Sequence, residues 1–362
     1  MDLAPRKIDK YIVKKFLSTF FLALLFIIVV VIIFDVSEKI DKFVANQPTL
    51  NEILFDYYLN FVPYFINMFS PLFIFITVIF FTSKMAQNSE IIAILSGGVS
   101  YQRMMMPFMF CAALISAMSL VLGLWIIPNA NKTRVKFENT YVKDESELVR
   151  DIHFQIAPNE FVYVESFSSW NSTAYNFTLE KLDNNKIISK LSAESAVWDT
   201  SFSGWRLRNY FIRDFSEDLN DKITTGAQID TVIDLVLTDM YRNKSTVEAL
   251  PLGELNDMIE TQKMRGDANV MYAQIEKNTR YAMPFSAFVL TIMGVCLSSR
   301  RKRGGLGWNL VIGIALSFSY ILFMKFSQMF VYTGTMSAGL ALWLPNMIYT
   351  AIAGYLYYRA PK

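Results

Sequence analysis

Apolar residues gather along the chain in six runs, each long enough to cross a bilayer as a helix: Phe16–Phe34, Leu59–Thr82, Met104–Pro128, Tyr281–Ser299, Leu306–Tyr332 and Ala338–Tyr358. Charged residues are sparse inside these runs and frequent from 132 to 280, so three runs precede a polar stretch and three follow it. Within that stretch the period shortens to nearly two, at Phe161–Val164, Phe177–Leu182, Lys186–Leu191, Trp205–Ile212 and Ile229–Leu237, with turn-rich segments such as Asp183-Asn184-Asn185 between. Short, regularly spaced strands with no helical pattern between them predict a sandwich, jelly roll or open barrel. Its inward face is expected to carry Phe161, Tyr163, Trp198, Trp205 and Phe211, as filled core or as the lining of an apolar slot. From Leu252 to Arg280 helical spacing returns, with a break near Gly266, and leads to the fourth run.

Arg6, Lys7, Lys10, Lys14 and Lys15 precede the first run, and Asp35-Val36-Ser37-Glu38 follows it in place of a small-residue cleavage site. It therefore reads as a retained helix with a cytoplasmic N-terminus. The cytoplasmic segments are then 1–15, 83–103, 300–305 and 359–362, which hold Lys84, Arg103, Arg300-Arg301-Lys302-Arg303, Arg359 and Lys362. The reverse orientation would put the four-residue basic run outside, against the positive-inside rule. The pattern predicts an α-helical polytopic membrane protein of six transmembrane helices with an inserted extracytoplasmic β domain. Residues 1–128 would hold the first three helices, 129–265 the β domain and 266–362 the last three, with both termini cytoplasmic.

Composition narrows the chemistry. Of 362 residues 53% are hydrophobic and 18% charged, against about 25% charged in average soluble chains; disorder, nucleic-acid binding and a disulfide-stapled module are excluded. A net charge of +2 implies no polyanionic partner. His153 is the single histidine, and Cys111 and Cys296 both sit inside apolar runs, which leaves no zinc or redox site. Leu95-Ser96-Gly97-Gly98 spells the start of an ABC ATPase signature, but no phosphate-cradling G-x-x-x-x-G-K-[ST] loop or βαβ pattern accompanies it. An ATP-driven motor, where one exists, must be another polypeptide.

Residues 83–103 form the one sizeable cytoplasmic loop. Ser89 followed by Ile91, Ile92, Ile94 and Leu95 predicts a short amphipathic helix near 86–97, N-capped by Ser89 and ended by Gly97-Gly98. Such an elbow is a lever for a soluble partner or an interfacial connector lying on lipid.

Four local matches carry a resemblance. The elbow Gln87–Ser100 is similar to R-S-E-L-x-x-x-x-A-S-G-x-S; the others are Gly204-Trp205-Arg206-Leu207, Glu276-Lys277-Asn278-Thr279-Arg280 leading to Pro284, and Trp343-Leu344-Pro345-Asn346. In this order, on a frame of three helices, a domain and three helices, the whole chain resembles the LptF/LptG (YjgP/YjgQ) family, the membrane subunits of the lipopolysaccharide-exporting ABC transporter. It departs from that pattern at Gln87-Asn88, where an Arg is common, and at Leu95-Ser96-Gly97-Gly98, where Ala-Ser-Gly is usual.

The resemblance implies a non-catalytic permease subunit of the bacterial inner membrane whose large domain is a periplasmic β-jelly roll. The chain itself would bind no cofactor, ATP and Mg being held by an ABC ATPase dimer. A second homologous six-helix permease subunit and a periplasmic jelly-roll bridge protein would complete the assembly. The elbow would be the coupling helix, with Glu90 seated in a groove of the ATPase and Ser89, Ala93 and Gly97 beside it. The first and fifth helices would form lateral gates for lipopolysaccharide, which makes Lys39, Lys42 and Lys325 candidates for its phosphates. Lys39 and Lys42 share one helical face, although Asp35, Glu38 and Asp41 could instead neutralise them locally; Lys325 could simply snorkel to the interface. Arg280 is expected as an interfacial anchor. Two other classes stay open: an ion-coupled secondary transporter, whose span centres should carry ionisable residues or helices broken at Pro63, Pro71 or Pro107, and a non-transporting envelope receptor or scaffold. Co-purification with an ATPase discriminates among them.

Overall fold

A computed structural model describes residues 7–142, 148–168, 171–184, 186–216, 221–233, 235, 247–264, 269–299 and 305–360. The basic run Arg300–Arg303 and the end of the expected strand Ile229–Leu237 lie outside these residues. The chain runs through α1 (Lys7–Asn46), a π-helical stretch Glu52–Tyr58, α2 (Leu59–Gln87), α3 (Glu90–Ser96), α4 (Tyr101–Val121), a second π-helical stretch Leu122–Ile126 and α5 (Ile127–Tyr141). Strands β1 (Leu148–Ala157), β2 (Glu160–Ser168), β3 (Thr173–Asp183), β4 (Lys186–Asp199), β5 (Gly204–Asp214) and β6 (Lys222–Thr231) follow. The chain closes with α6 (Leu252–Met264), α7 (Val270–Ser298), α8 (Gly305–Tyr332) and α9 (Ala338–Tyr358). Two compact units result: one of Met1–Phe137, Glu248–Leu252 and Met271–Lys362, the other of Glu138–Val247 and Gly253–Val270.

In the helical unit, α2 feeds two apolar clusters. Ile74, Val78, Phe81 and Met85 meet Ile12, Phe16, Phe20 and Leu24 of α1, whose four-residue spacing is a single helical stripe, together with Met104, Phe108 and Ile115 of α4. Phe75 and Ile79 instead pack with Leu290 and Met293 of α7, Tyr320 and Met324 of α8, and Leu342 and Tyr349 of α9. Where α2 and α7 approach, Gly294 is required: a Cβ there would lie 2.8 Å from Val78 Cγ1. Pro63 and Pro71 stay within α2 and Pro107 within α4.

Among the described residues, five helical stretches are long and apolar enough to cross a membrane: Lys7–Asn46, Glu52–Gln87, Tyr101–Tyr141, Val270–Ser298 and Gly307–Tyr332. The expected sixth span, Ala338–Tyr358, is a single 21-residue helix, α9, and is not one of these five. Length and apolarity support five spans among the described residues.

The β unit holds one six-stranded antiparallel sheet in the order β1-β2-β3-β4-β5-β6. The two-sheet pairing of a jelly roll is not present among the described strands: every connection is short, so each strand pairs with its neighbour in sequence. Trp205 is fully buried, donates from its indole nitrogen to the Leu235 carbonyl (2.8 Å), and packs with Phe177 and Trp198. Val162, Val164, Phe167, Ala174, Ala193, Ala196 and Leu207 complete the buried cluster. The expected inward face is corrected: Trp205 is inside and Trp198 packs at its edge, while Phe161 and Phe211 are exposed and Tyr163 is half-buried against His153.

The cause is a crease. Asp151, Asn176 and Asn209 take left-handed backbone angles (φ +54°, +49° and +49°), and the strand registers align them in one row with Glu165 and Glu194. Across this row buried positions step by three, as from Val164 to Phe167 or Ala193 to Ala196, so a strict period of two assigns one half of each strand to the wrong face. Asn176 donates to Glu165, and Asn209 to Glu194 at 2.6 Å, which holds the row together. Gly204 opens β5 because a Cβ would meet the Phe202 ring and come within 2.9 Å of the Thr231 carbonyl.

Candidate functional site

The elbow is built from two left-handed residues. Ser89 lies at φ +62° and its N–H bonds the Ala86 carbonyl (3.2 Å), so it closes α2 and turns the chain into α3. Its side chain makes no capping bond, which corrects the expected N-cap: capping needs an extended backbone that this sharp turn does not allow. At the other end Gly98 sits at φ +81°, with its N–H on the Leu95 carbonyl (3.0 Å) and the Val99 N–H on the Ile94 carbonyl (3.3 Å). These are the paired bonds of a Schellman stop, with glycine where the left-handed residue must be. Ser100 then starts α4 by accepting from the Arg103 N–H.

Between those turns α3 has two faces. Ile91 is buried in the apolar cluster of α1, α2 and α4, and Ile94 and Leu95 pack on its edge. Ser89, Ala93, Ser96 and Gly97 are exposed, and so is Ile92 at 58%. Ser89, Ala93 and Gly97 recur every four residues and form one small-residue edge. Glu90 is half-buried at the start of α3; it accepts from Asn88 Nδ2 (3.1 Å) and from the Tyr11 hydroxyl of α1 (3.4 Å). A carboxylate in the first turn favours the helix and keeps acceptor capacity for a charge-assisted contact.

Lys39 is more constrained than its sequence context implies. It donates to Asp35 Oδ1 (2.7 Å) and to the Tyr57 hydroxyl, and lies 4.6 Å from the Tyr57 ring centre. Tyr57 and Tyr58 donate in turn to Asp35, each at 3.1 Å. The π-helical stretch Glu52–Tyr58 presents these adjacent tyrosines to the same carboxylate. Lys42 is half-buried, and Lys325 is exposed on α8, whose core residues belong to the other apolar cluster from those of α1. Spacing alone does not reach Tyr57 and Tyr58; the i,i+4 pair Asp35–Lys39 is the part a sequence reader can find.

Two family-matched segments prove to be internal ties. Arg280 is buried and donates to Glu276 (2.8 Å) and to the carbonyls of Leu250 (2.9 Å) and Glu248 (3.3 Å), so it pins the returning chain to α7. Asn346 accepts from the Tyr320 hydroxyl and donates to the Ala282 carbonyl, both at 2.8 Å, and so joins α9, α8 and α7. Both Cys111 and Cys296 are buried thiols, and no group of metal-ligating side chains occurs among the described residues.

The family model for the lipopolysaccharide export system permease LptF/LptG matches residues 10–359. Among curated relatives, the lipopolysaccharide export system permease protein LptG of Escherichia coli strain K12 is 22% identical over 321 residues, covering 86% of this chain and 87% of the relative. The LptG protein of Escherichia coli O6:H1 matches to the same extent.

Proposed function

Because the chain belongs to the LptF/LptG family of lipopolysaccharide export permeases, we propose that it is the membrane subunit of an ATP-driven exporter that draws lipopolysaccharide out of the inner membrane and passes it toward the outer membrane. The single observation that carries the reading is the elbow: α3 buries Ile91 and leaves Glu90 and the Ser89, Ala93, Gly97 edge for a partner. An ABC ATPase dimer is that partner, and it binds and hydrolyses the ATP with its Mg.

The N- and C-termini and the elbow lie in the cytoplasm, and the β unit lies in the periplasm, where it hands acyl chains to a bridge protein of jelly-roll fold. A second homologous subunit faces the bare sides of α1 and α8, α9 serves as the sixth span, and the two subunits enclose the cavity. Lys39, Lys42 and Lys325 meet lipid phosphates, Lys39 by exchanging Asp35 for the ligand. No bond in the substrate is made or broken by this chain.

The test is Glu90→Lys. The variant is expected to insert and to bind its sister permease normally, while ATP-dependent lipopolysaccharide release in proteoliposomes falls to background. Normal release would remove the elbow from the mechanism.

A further inference from the structure

We infer that the Asp9–Arg103 ion pair, with the Tyr11–Glu90 hydrogen bond beside it, is the joint through which movement of the elbow reaches α1. The inference rests on the export reading above and adds to it the positioning residues that link elbow to helix.

Both terminal guanidinium nitrogens of Arg103, Nη1 and Nη2, donate to Asp9, at 2.9 and 2.5 Å, and each side chain is only 17% exposed. A two-pronged contact of this kind fixes direction as well as distance. Arg103 stands in the first turn of α4, directly after the Schellman stop and the Ser100 cap, so rotation of the α3–α4 corner carries its head group with it. Two residues along α1 from Asp9, the Tyr11 hydroxyl reaches Glu90 at the other end of the elbow. The base of α1 is therefore held by both arms of the elbow, above an apolar floor that includes the buried Ile12 and Ile91.

Beyond Leu24 the grip ends. No buried residue occurs on α1 between Leu24 and Phe43, and the next ties are those of Asp35 and Lys39 to Tyr57 and Tyr58. A helix clamped at its base and only half-covered along its middle follows the clamp when the clamp turns. The 3.4 Å contact at Glu90 is the weaker of the two ties, and it is the one an ATPase seated on Glu90 would alter first.

The experiment uses the full complex with its ATPase and sister permease in proteoliposomes, comparing Asp9→Asn, Asp9→Arg and the charge swap Asp9→Arg with Arg103→Asp. Asp9→Asn is expected to keep ATPase association and ATP hydrolysis while lipopolysaccharide released per ATP falls roughly tenfold, a typical allosteric coupling. The swap should restore most of what Asp9→Arg alone loses. Wild-type yield per ATP in Asp9→Asn overturns the joint, as does loss of ATPase association together with transport, or a swap no better than Asp9→Arg. A wild-type complex that hydrolyses ATP without releasing lipopolysaccharide overturns the export reading itself.

Discussion

Helices α1 and α7 are both apolar enough to cross a membrane, yet the protein treats them in opposite ways. In α7, 67% of the most apolar stretch is buried by the protein's own side chains; in α1, the more apolar of the two, 17% is. In water that order would be reversed, because apolarity drives burial. In lipid the surroundings are as apolar as leucine, so what is buried is whatever needs a partner: small residues for close packing and polar groups for hydrogen bonds. Helix α7 carries both, with Gly294 against Val78, Ala282 serving Asn346, and Arg280 on two carbonyls. Helix α1 keeps its polar ties at its two ends. Helix α8 is bare like α1, at 22%, although it is less apolar; its exposed side is expected to meet protein.

Truncation should cost far more on α7 than on α1. Leu290→Ala, in the buried face of α7, should cost about 2 kcal/mol, the low end for core truncations because lipid replaces water as the alternative environment. Thermal unfolding in detergent measures it. Asp35→Asn comes next: it removes the charged acceptor shared by Lys39, Tyr57 and Tyr58, at about 1–2 kcal/mol. Hydrogen exchange around residues 33–45 should rise while that of α7 does not. Leu22→Ala, 68% exposed on α1, should stay within about 0.5 kcal/mol of wild type. Joined with Phe26→Ala, it should weaken retention of the sister subunit on a column without moving the unfolding midpoint.

The smallest effect lies among the exposed ion pairs of the β unit, which test whether polar ties matter outside lipid. Arg206 bonds Asp230 and Asp199, and it holds the Asp230 carboxyl below its usual range; Asp199 is lowered first by its bonds to Ser201 and then by Arg206. Carboxyls depressed in the folded state add stability above the ordinary carboxylate pKa, and the gain is lost as pH falls through the depressed values. Arg206→Ala should therefore lower stability slightly at neutral pH, a loss that vanishes as pH falls through the carboxylate range, so that acid unfolding becomes less steep.

Much of the helical frame is written in single-residue patterns. Long apolar runs become helices because a backbone in lipid must satisfy itself, and Gly98 marks the stop of α3 because a left-handed residue is needed there. Other features depend on partners far away in the chain. The crease through Asp151, Glu165, Asn176, Glu194 and Asn209 exists only once the strands are in register, so aromatic alternation misplaced Phe161 and Phe211. Ser89 resembled a cap because its neighbours are helical, but the turn from α2 to α3 uses its backbone. Asp9 stands among the basic residues that precede the first apolar run, and Arg103 ends the elbow segment. Neither residue's own segment predicts the pairing across 94 positions.

On the proposed reading this chain is the conduit and lever of a pump whose motor is a separate polypeptide. The most direct measurement is mild-detergent purification of the tagged chain from the membranes of its native host, followed by identification of what remains bound. A second permease of the same family is expected, together with a nucleotide-binding ATPase that stays with the wild-type chain and is lost from Glu90→Lys. A homodimer that carries no ATPase would contradict that reading.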